Sequence, residues 1–324
     1  MTDTVLGDGD NLYFGSEQHD NIHGGGGNDR ISGLAGADAI YGDSGNDEIF
    51  GNDGRDRLFG GDGNDTLYAD PGEVVKGGAG DDLIVIGIGS GLNPATGGLG
   101  IDGLQMTLDA TITPLQGMRT RETVGGYEIT SDGAVVATVT GFEYYVVVGS
   151  ELSDRLEGGA LGDVLQGARP LSAATDRDTL VGFSGDDRLF GQGGRDVLRG
   201  GEGNDELHGG ANGDALHGGA GDDRFVYYDS WDSNAVSDRD VIADFTHGED
   251  RIDVKFMDAI GSTRRDDRFV FIGDAEFSGA LGELRVVQQD GITLVEGNIF
   301  ADSAADFQIE LTGLMTLVRH DFLL

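Results

Sequence analysis

Apolar side chains recur along this chain at intervals of nine, and an acidic residue stands two positions before each of them. From GGGGNDRIS at 24–32 the segments GLAGADAIY, GDSGNDEIF, GNDGRDRLF and GGDGNDTLY follow without a gap. Tyr13, Ile22, Ile31, Ile40, Ile49, Leu58 and Leu67 form the apolar column. Asp20, Asp29, Asp38, Asp47, Asp56 and Asp65 form the acidic one, with Asn11 one step earlier. The frame slips near residue 70, and GGAGDDLIV at 77–85 adds one more copy with Asp82. The pattern resumes at 151 and runs to about 226. Its acids are Asp154, Asp163, Asp178, Asp187, Asp196, Asp205, Asp214 and Asp223. Its apolar column is Leu156, Leu165, Leu180, Leu189, Leu198, Leu207, Leu216 and Phe225. Asp163 and Asp178 are fifteen apart, so six residues around Ala168–Ala173 are expected to bulge out.

The glycines of each unit allow positive φ and close approach of neighbouring turns. Three residues centred on the apolar position suffice for a short strand with that side chain inward. A six-residue Gly-Asp turn plus such a strand makes half a coil, so two nonapeptides close one coil. Residues eighteen apart then stack: Asp20 on Asp38 on Asp56, and Asp29 on Asp47 on Asp65. Carboxylates stacked about one strand spacing apart repel by roughly 1–3 kcal/mol each at intermediate dielectric. A hard divalent cation among them, completed by turn carbonyls, reverses that sign. A ligand set made only of oxygen favours Ca²⁺ over Zn²⁺ or copper.

Charge sharpens this reading. Asp plus Glu is 59 against 21 Lys plus Arg, a net charge of −38. That excludes a basic groove for nucleic acid and disfavours an anionic membrane surface. The 59 glycines come with only 4 prolines and no triplet register, so collagen is excluded. With 38% apolar residues in register, conditional order is expected where a Gly-rich acidic chain would otherwise be disordered. There is no cysteine, hence neither a disulfide nor a thiolate metal site. The start, MTDTVLGDGDNLYF, shows no cleavable secretory signal. The longest apolar runs, LIVIGIG at 83–89 and YYVVVG at 144–149, are strand-length, so no transmembrane segment and a soluble chain are expected.

The unit G-G-x-G-x-D-x-U-x closely resembles the repeats-in-toxin (RTX) nonapeptide, and stands almost letter for letter at 60–68 and as GGEGNDELH at 200–208. The resemblance implies an all-β fold: a parallel β-roll (RTX solenoid) in two arrays, with a β-rich insert and a C-terminal β cap. It also implies several Ca²⁺ ions in the turns and export through a type I secretion apparatus. The expected division is 1–85 and 151–226 for the arrays, 86–150 for the insert and 227–324 for the cap. Turn carbonyls of Gly24, Gly42, Gly51, Gly60, Gly182, Gly191, Gly200, Gly209 and Gly218 are the expected companions of the acidic column.

In the insert, YEITSDGAVVATV at 127–139 reads as a hairpin around Asp132-Gly133, packing on or continuing the roll. FVYYDSWDSNAVSDRDVIADFTHGEDRIDV at 225–254 is similar to the region after the roll in serralysin-type metalloproteases and related secreted epimerases and lipases. The likeness continues through GELRVV at 282–287, a hairpin at Asp290-Gly291 and ADFQIELTGL at 305–314. By it, Asp240 and Asp250 hold a further Ca²⁺. The stretch GNIFADSAADF departs from the family pattern. The final Asp321-Phe322-Leu323-Leu324 resembles an uncleaved export signal, which is expected to be removable with little effect on folding.

No catalytic residue is expected. The H-E-x-x-H motif of the metalloproteases is absent, as is a G-x-S-x-G elbow. His19, His23, His208 and His217 read as exposed strand decoration. Tyr41 and Phe59 are expected to point outward on one face, Phe50 and Tyr68 on the other. They either stack to stabilise the roll, lie under the insert, or meet a cell-surface polysaccharide or protein partner. Trp231 is expected to pack beneath the cap. The leading expectation is a secreted, non-catalytic calcium-binding protein with a structural, adhesive or matrix role. Alternatives are the calcium-binding and secretion module of a secreted hydrolase or polysaccharide-modifying enzyme, and a membrane-interacting toxin-like protein.

Overall fold

Each nonapeptide becomes one parallel strand, and successive strands alternate between two facing sheets. The computed structural model describes residues 2–88, 93–108, 119–123, 126–131, 134–140, 142, 144–149, 153–167, 177–234, 238–259, 267–300 and 304–324. The chain is an all-β solenoid of parallel strands, and among the described residues the only helical turn is the 3₁₀ segment Arg319–Asp321. It divides into two units, 1–150 and 151–324.

In the first unit Ile22, Ile40, Leu58, Val75 and Ala95 pair in register on one sheet. On the other sheet Ile31, Ile49, Leu67, Ile84, Leu104 and Tyr145 pair likewise. The aliphatic members of these ladders are buried. In the second unit the ladders are Leu156, Leu180, Leu198, Leu216, Ile242 and Leu311, facing Leu165, Leu189, Leu207, Phe225, Ile252 and Phe322. A coil of eighteen residues therefore buries about two large side chains, a thin core for its length.

The strands are longer than three residues. Asp20–Gly26 and Arg30–Gly36 each span seven, because pairing continues past the apolar position into the turn, as in Gly25 with Asp43. The second glycine position of the motif has positive φ, and where the residue there is not glycine the angle persists: Leu34 at 73°, Asp43 at 71°, Asn52 at 64° and Phe183 at 78°. At Leu34 and Phe183 the coil imposes the left-handed conformation on residues that do not favour it.

The region after residue 85 continues the roll in part. Gly103–Leu108 pairs in parallel with both Leu83–Ile88 and Tyr144–Val148. Gly126–Ser131 and Ala134–Thr140 form the expected antiparallel pair, and its turn at Asp132-Gly133 lies outside the described residues. So does the bulge at Ala168–Ala173. Coil stacking crosses that gap all the same, since the Asp154 amide donates to Asp178 Oδ1, twenty-four residues on.

The second unit ends in an antiparallel meander, Glu283–Gln289, Ile292–Asn298 and Phe307–Leu311. Asp290 (φ 51°) and Gly291 (φ 86°) form its first turn, as expected from the sequence. Two expectations fail here. Trp231 is 72% exposed and does not pack beneath the cap. The segment Phe322–Leu323 is not a loose tail: it is a strand beside Arg251–Asp253. Asp321 is fully buried and accepts bonds from the Gly248 and Val318 amides, with His247 Nδ1 2.9 Å away. Removing these residues would uncover the end of the core, which argues against the expectation that their loss has little effect on folding.

Candidate metal centre

In the repeats from Asp20 onward the turns place a carboxylate at the start of the strand, and stacking turns these into two columns per unit. Each aspartate uses its two oxygens differently. Oδ1 accepts the backbone N–H of the aspartate one coil earlier: Asp20 to Asp38, Asp38 to Asp56, Asp29 to Asp47, Asp47 to Asp65 and Asp65 to Asp82, at 2.7–2.9 Å. The second unit repeats this with Asp163 to Asp187, Asp178 to Asp196, Asp187 to Asp205, Asp196 to Asp214 and Asp205 to Asp223. A parallel ladder runs through the residue before the aspartate, in the opposite sense: Asn46 N–H to Asn28 Oδ1, and Asn64 N–H to Asn46 Oδ1. The turns are thus stapled from both sides.

Oδ2 is the informative atom. In Asp29, Asp38, Asp47, Asp56, Asp65, Asp82, Asp187, Asp205, Asp214 and Asp223 it is buried and no donor reaches it. At column ends a donor does reach it: Ser16 for Asp20, Gly159 for Asp163 and Thr246 for Asp250. For Asp29, Asp38, Asp47, Asp65, Asp82, Asp187 and Asp205 the Oδ2 converges with a glycine carbonyl of the next coil on the face of the glycine five residues upstream. A Cβ built at Gly24 would come within 3.0 Å of both Asp29 Oδ2 and the Gly42 carbonyl oxygen. The same holds at Gly42 with Asp47 and Gly60, at Gly182 with Asp187 and Gly200, and at Gly200 with Asp205 and Gly218. Glycine is required because a side chain would fill an oxygen-lined space.

Burial without a donor raises these acids. Desolvation, partly offset by the coil-to-coil amide bond, lifts Asp47, Asp82 and Asp205 to about 6, Asp65 and Asp223 to about 7 and Asp187 to about 8. Asp214 rises to about 10, chiefly through desolvation and then the charge of Asp240. A row of acids held in a form they would rather not ionise fits a site that a cation completes.

Among the described residues no group of three or more Asp, Glu or His side chains is gathered closely enough to hold a metal by itself. A cation here would draw on one or two carboxylates and several backbone carbonyls. That is a Ca²⁺-type donor set and a poor one for zinc. The residues present fit a calcium ion.

The expected carbonyls of Gly42, Gly51, Gly60, Gly182, Gly191, Gly200, Gly209 and Gly218 all face an aspartate Oδ2, while that of Gly24 is not among the carbonyls so placed. Asp240 and Asp250 are not brought together. Asp240 Oδ1 receives the Asp214 amide and Asp250 Oδ1 the Asp223 amide, so they extend opposite columns. Sequence reasoning missed Glu73 and Asp102, which stand in the columns at offsets of seventeen and twenty from Asp56 and Asp82. The signal that could have found them is the apolar residue two positions on, Val75 and Leu104.

The other singled-out side chains are stabilising contacts. His23, Tyr41 and Phe59 stack along one sheet with centroids 4.4 and 4.7 Å apart, and Phe50 stacks on Tyr68 at 4.5 Å on the other. Arg30 and Arg57 lie over the Phe50 and Phe59 rings. His208 is not exposed decoration: it is half-buried against Tyr228 and 3.3 Å from Asp232 Oδ2.

Comparison with known proteins identifies the family. The peptidase M10 serralysin C-terminal family matches residues 14–324. No curated protein sequence matches. Among solved structures, the AlgE6R2 subunit of the Azotobacter vinelandii mannuronan C5-epimerase is 26% identical over 55% of this chain and 91% of its own, with a TM-score of 0.29. The AlgE6R3 subunit is also 26% identical, over 50% and 78%, with a TM-score of 0.25. The extracellular lipase LipA of Serratia marcescens is 14% identical over 97% of this chain but only 40% of its own, with a TM-score of 0.24. With superpositions this loose, kinship rests on the family match and on the nonapeptide columns. On those grounds the chain belongs to the serralysin C-terminal family of RTX-type repeat domains.

Proposed function

We propose that this chain is a calcium-folded module of a secreted protein, non-catalytic in itself, whose role is structural or one of surface interaction. The observation that carries it is the run of buried, donorless Oδ2 atoms facing glycine carbonyls in both units. Bound Ca²⁺ would supply the positive charge that lets neighbouring coils stack. Asp29, Asp47, Asp65 and Asp82 would hold it on one column of the first unit, Asp38 and Asp56 on the other. In the second unit the holders would be Asp178, Asp196, Asp214 and Asp240 facing Asp163, Asp187, Asp205, Asp223 and Asp250.

The energetics suit a folding switch. Extracellular calcium modules bind with Kd of roughly 10⁻⁴–10⁻³ M. At ten times Kd each site contributes about 1.4 kcal/mol, so about ten sites contribute on the order of 14 kcal/mol. That matches the whole stability of an ordinary domain. A chain unfolded at the low free Ca²⁺ of the cytoplasm stays threadable through a type I channel and folds outside. Circular dichroism in chelator and in millimolar Ca²⁺ tests this: β-structure should appear cooperatively with the ion. An apo spectrum already rich in β-sheet at neutral pH would overturn it.

A further inference from the structure

Three strands of the second unit deliver their ends to one place. Arg224–Val226 and Arg251–Asp253 each run on into a loop, and Ile292–Asn298 ends at Ile299-Phe300. Between them lies an open cleft of about 560 Å³ with four aromatic rings in its wall, Tyr228, Trp231, Phe256 and Phe300. They are 44, 72, 52 and 54% exposed, and among the described residues the other exposed aromatic side chains are Phe14 and Phe183. Exposed rings gathered in one concave patch mark a binding surface, whereas scattered ones do not.

The rings are held in place from behind. Asp232 Oδ2 accepts the Tyr228 and Asp229 amides at 2.7 and 3.1 Å, and Asp229 Oδ1 accepts the Trp231 amide at 3.3 Å. Asp306 Oδ2 accepts the Phe300 amide at 2.8 Å. Tyr228 stands edge-on to His208 and 5.5 Å from Phe256, whose ring also carries Lys255 Nζ at 4.5 Å. On the roll, by contrast, Tyr41 has His23 stacked on one side and Phe59 on the other, so its faces are already used. Trp231 and Phe300 pair with no other ring among the described residues.

The polar lining selects the occupant. Asp229, Asp258 and Asp306 line the cleft, and among the described residues no Lys or Arg does. Ionised carboxylates accept hydrogen bonds and donate none. A fitting ligand therefore offers apolar faces to the rings and donors to the acids, and carries no negative charge. A neutral sugar ring does this, with C–H groups on its faces and hydroxyls at its rim. A uronate or sulfated glycan would meet like charges. An apolar peptide or lipid chain would strip water from three carboxylates and return no donor. A quaternary ammonium has a suitable charge but brings neither N–H nor O–H.

We propose that this cleft binds a neutral oligosaccharide, with Trp231 and Phe300 as stacking platforms and Asp229, Asp258 and Asp306 as acceptors of its hydroxyls. The proposal rests on the surface-interaction reading above but not on the acidic columns, to which none of these residues belongs.

Trp231 is the chain's single tryptophan, so its emission reports on the cleft in the unaltered full chain. Fluorescence titration in millimolar Ca²⁺ with hexamers of neutral hexoses and of N-acetylhexosamines, beside a uronate hexamer and choline, tests the proposal. A saturable change with at least one neutral hexamer is expected, with protection of Trp231 from acrylamide quenching and no response to the uronate. By calorimetry, Trp231→Ala and Phe300→Ala should each weaken that hexamer about tenfold. Phe14→Ala, an exposed ring of the first unit, should leave it unchanged. No binding of any neutral hexamer, tighter binding of uronate or choline, or unaltered affinity in Trp231→Ala would each overturn the proposal. Should the variants misfold, the unaltered chain decides: a bound hexamer that leaves Trp231 equally quenchable refutes the site. Far-UV circular dichroism of the same samples separates the two readings. A chain that folds with Ca²⁺ yet binds no hexamer sinks this cleft alone, and one that binds a hexamer but folds equally well in chelator sinks the calcium ladder alone.

Discussion

The coils and the C-terminal meander both bury acids, but they provide for them differently. In the coils Oδ1 is bonded while Oδ2 is buried without a donor and faces a glycine carbonyl, as in Asp29, Asp47, Asp187 and Asp205. In the meander the acids have donors from their own chain. Glu283 receives the Ser278 amide and hydroxyl, Asp306 the Ile299 and Phe300 amides, and Arg285 bridges Glu276 and Glu296. The first kind of burial is incomplete without a cation and the second is complete as it stands. On the proposed reading, one unit therefore contains a part that waits for an ion and a part that does not.

The largest test of that contrast is ion removal followed by hydrogen exchange. In chelator at neutral pH, amides of the coil aspartates, such as Asp29, Asp47, Asp187 and Asp205, should lose nearly all protection. Those of Glu283–Asn298 should retain a substantial part of theirs. Uniform loss along the chain would show that the meander depends on the coils entirely, and would break the comparison.

Acid should imitate the ion in the coils alone. Asp47, Asp65, Asp187 and Asp223 have folded-state pKa values of about 6 to 8, above the ordinary unfolded value near 3.9. Raised carboxyl values mean that the folded apo coil binds more protons than the unfolded chain. Its stability in chelator is then greatest below about pH 4 and is lost as pH rises through 6 to 8. With Ca²⁺ the slope reverses, because the cation needs the ionised form. Far-UV circular dichroism against pH, with and without chelator, should show the two curves converging in acid. Parallel curves would contradict the assignment.

A single coil substitution sharpens the geometry. Asp47→Ala should weaken Ca²⁺ sites on the column of Asp29 and Asp65 by about tenfold while leaving that of Asp38 and Asp56 nearly unchanged. Equal loss on both, seen by calorimetry, would be inconsistent with an eighteen-residue coil. The smallest effect concerns backbone strain. Phe183 holds φ 78° and is 44% exposed, so Phe183→Gly should raise thermal stability in Ca²⁺ by about 1 kcal/mol. No gain in a calcium-saturated melt would show that the exposed ring compensates for the strain.

The sequence by itself determined the period, the two columns and the inward residues, because a solenoid repeats one local solution. Asp29, Asp47 and Asp65 meet the same neighbours in every coil, so constant spacing is both cause and signature. The outcome at Asp290-Gly291 was legible for a similar reason, since a two-residue turn is a local preference. What only the tertiary structure decided lies where the coil length changes or the chain returns from far away. Glu73 and Asp102 enter the columns at seventeen and twenty residues, and strand pairing identifies them where counting by nine cannot. Asp240 and Asp250 stand ten apart in sequence, yet each is drawn to a different column by the amide of Asp214 or Asp223. Phe322 ends up buried beside Ile252 for the same reason: contacts between residues seventy apart depend on which strand edge is open when the last segment arrives, and no local pattern encodes that.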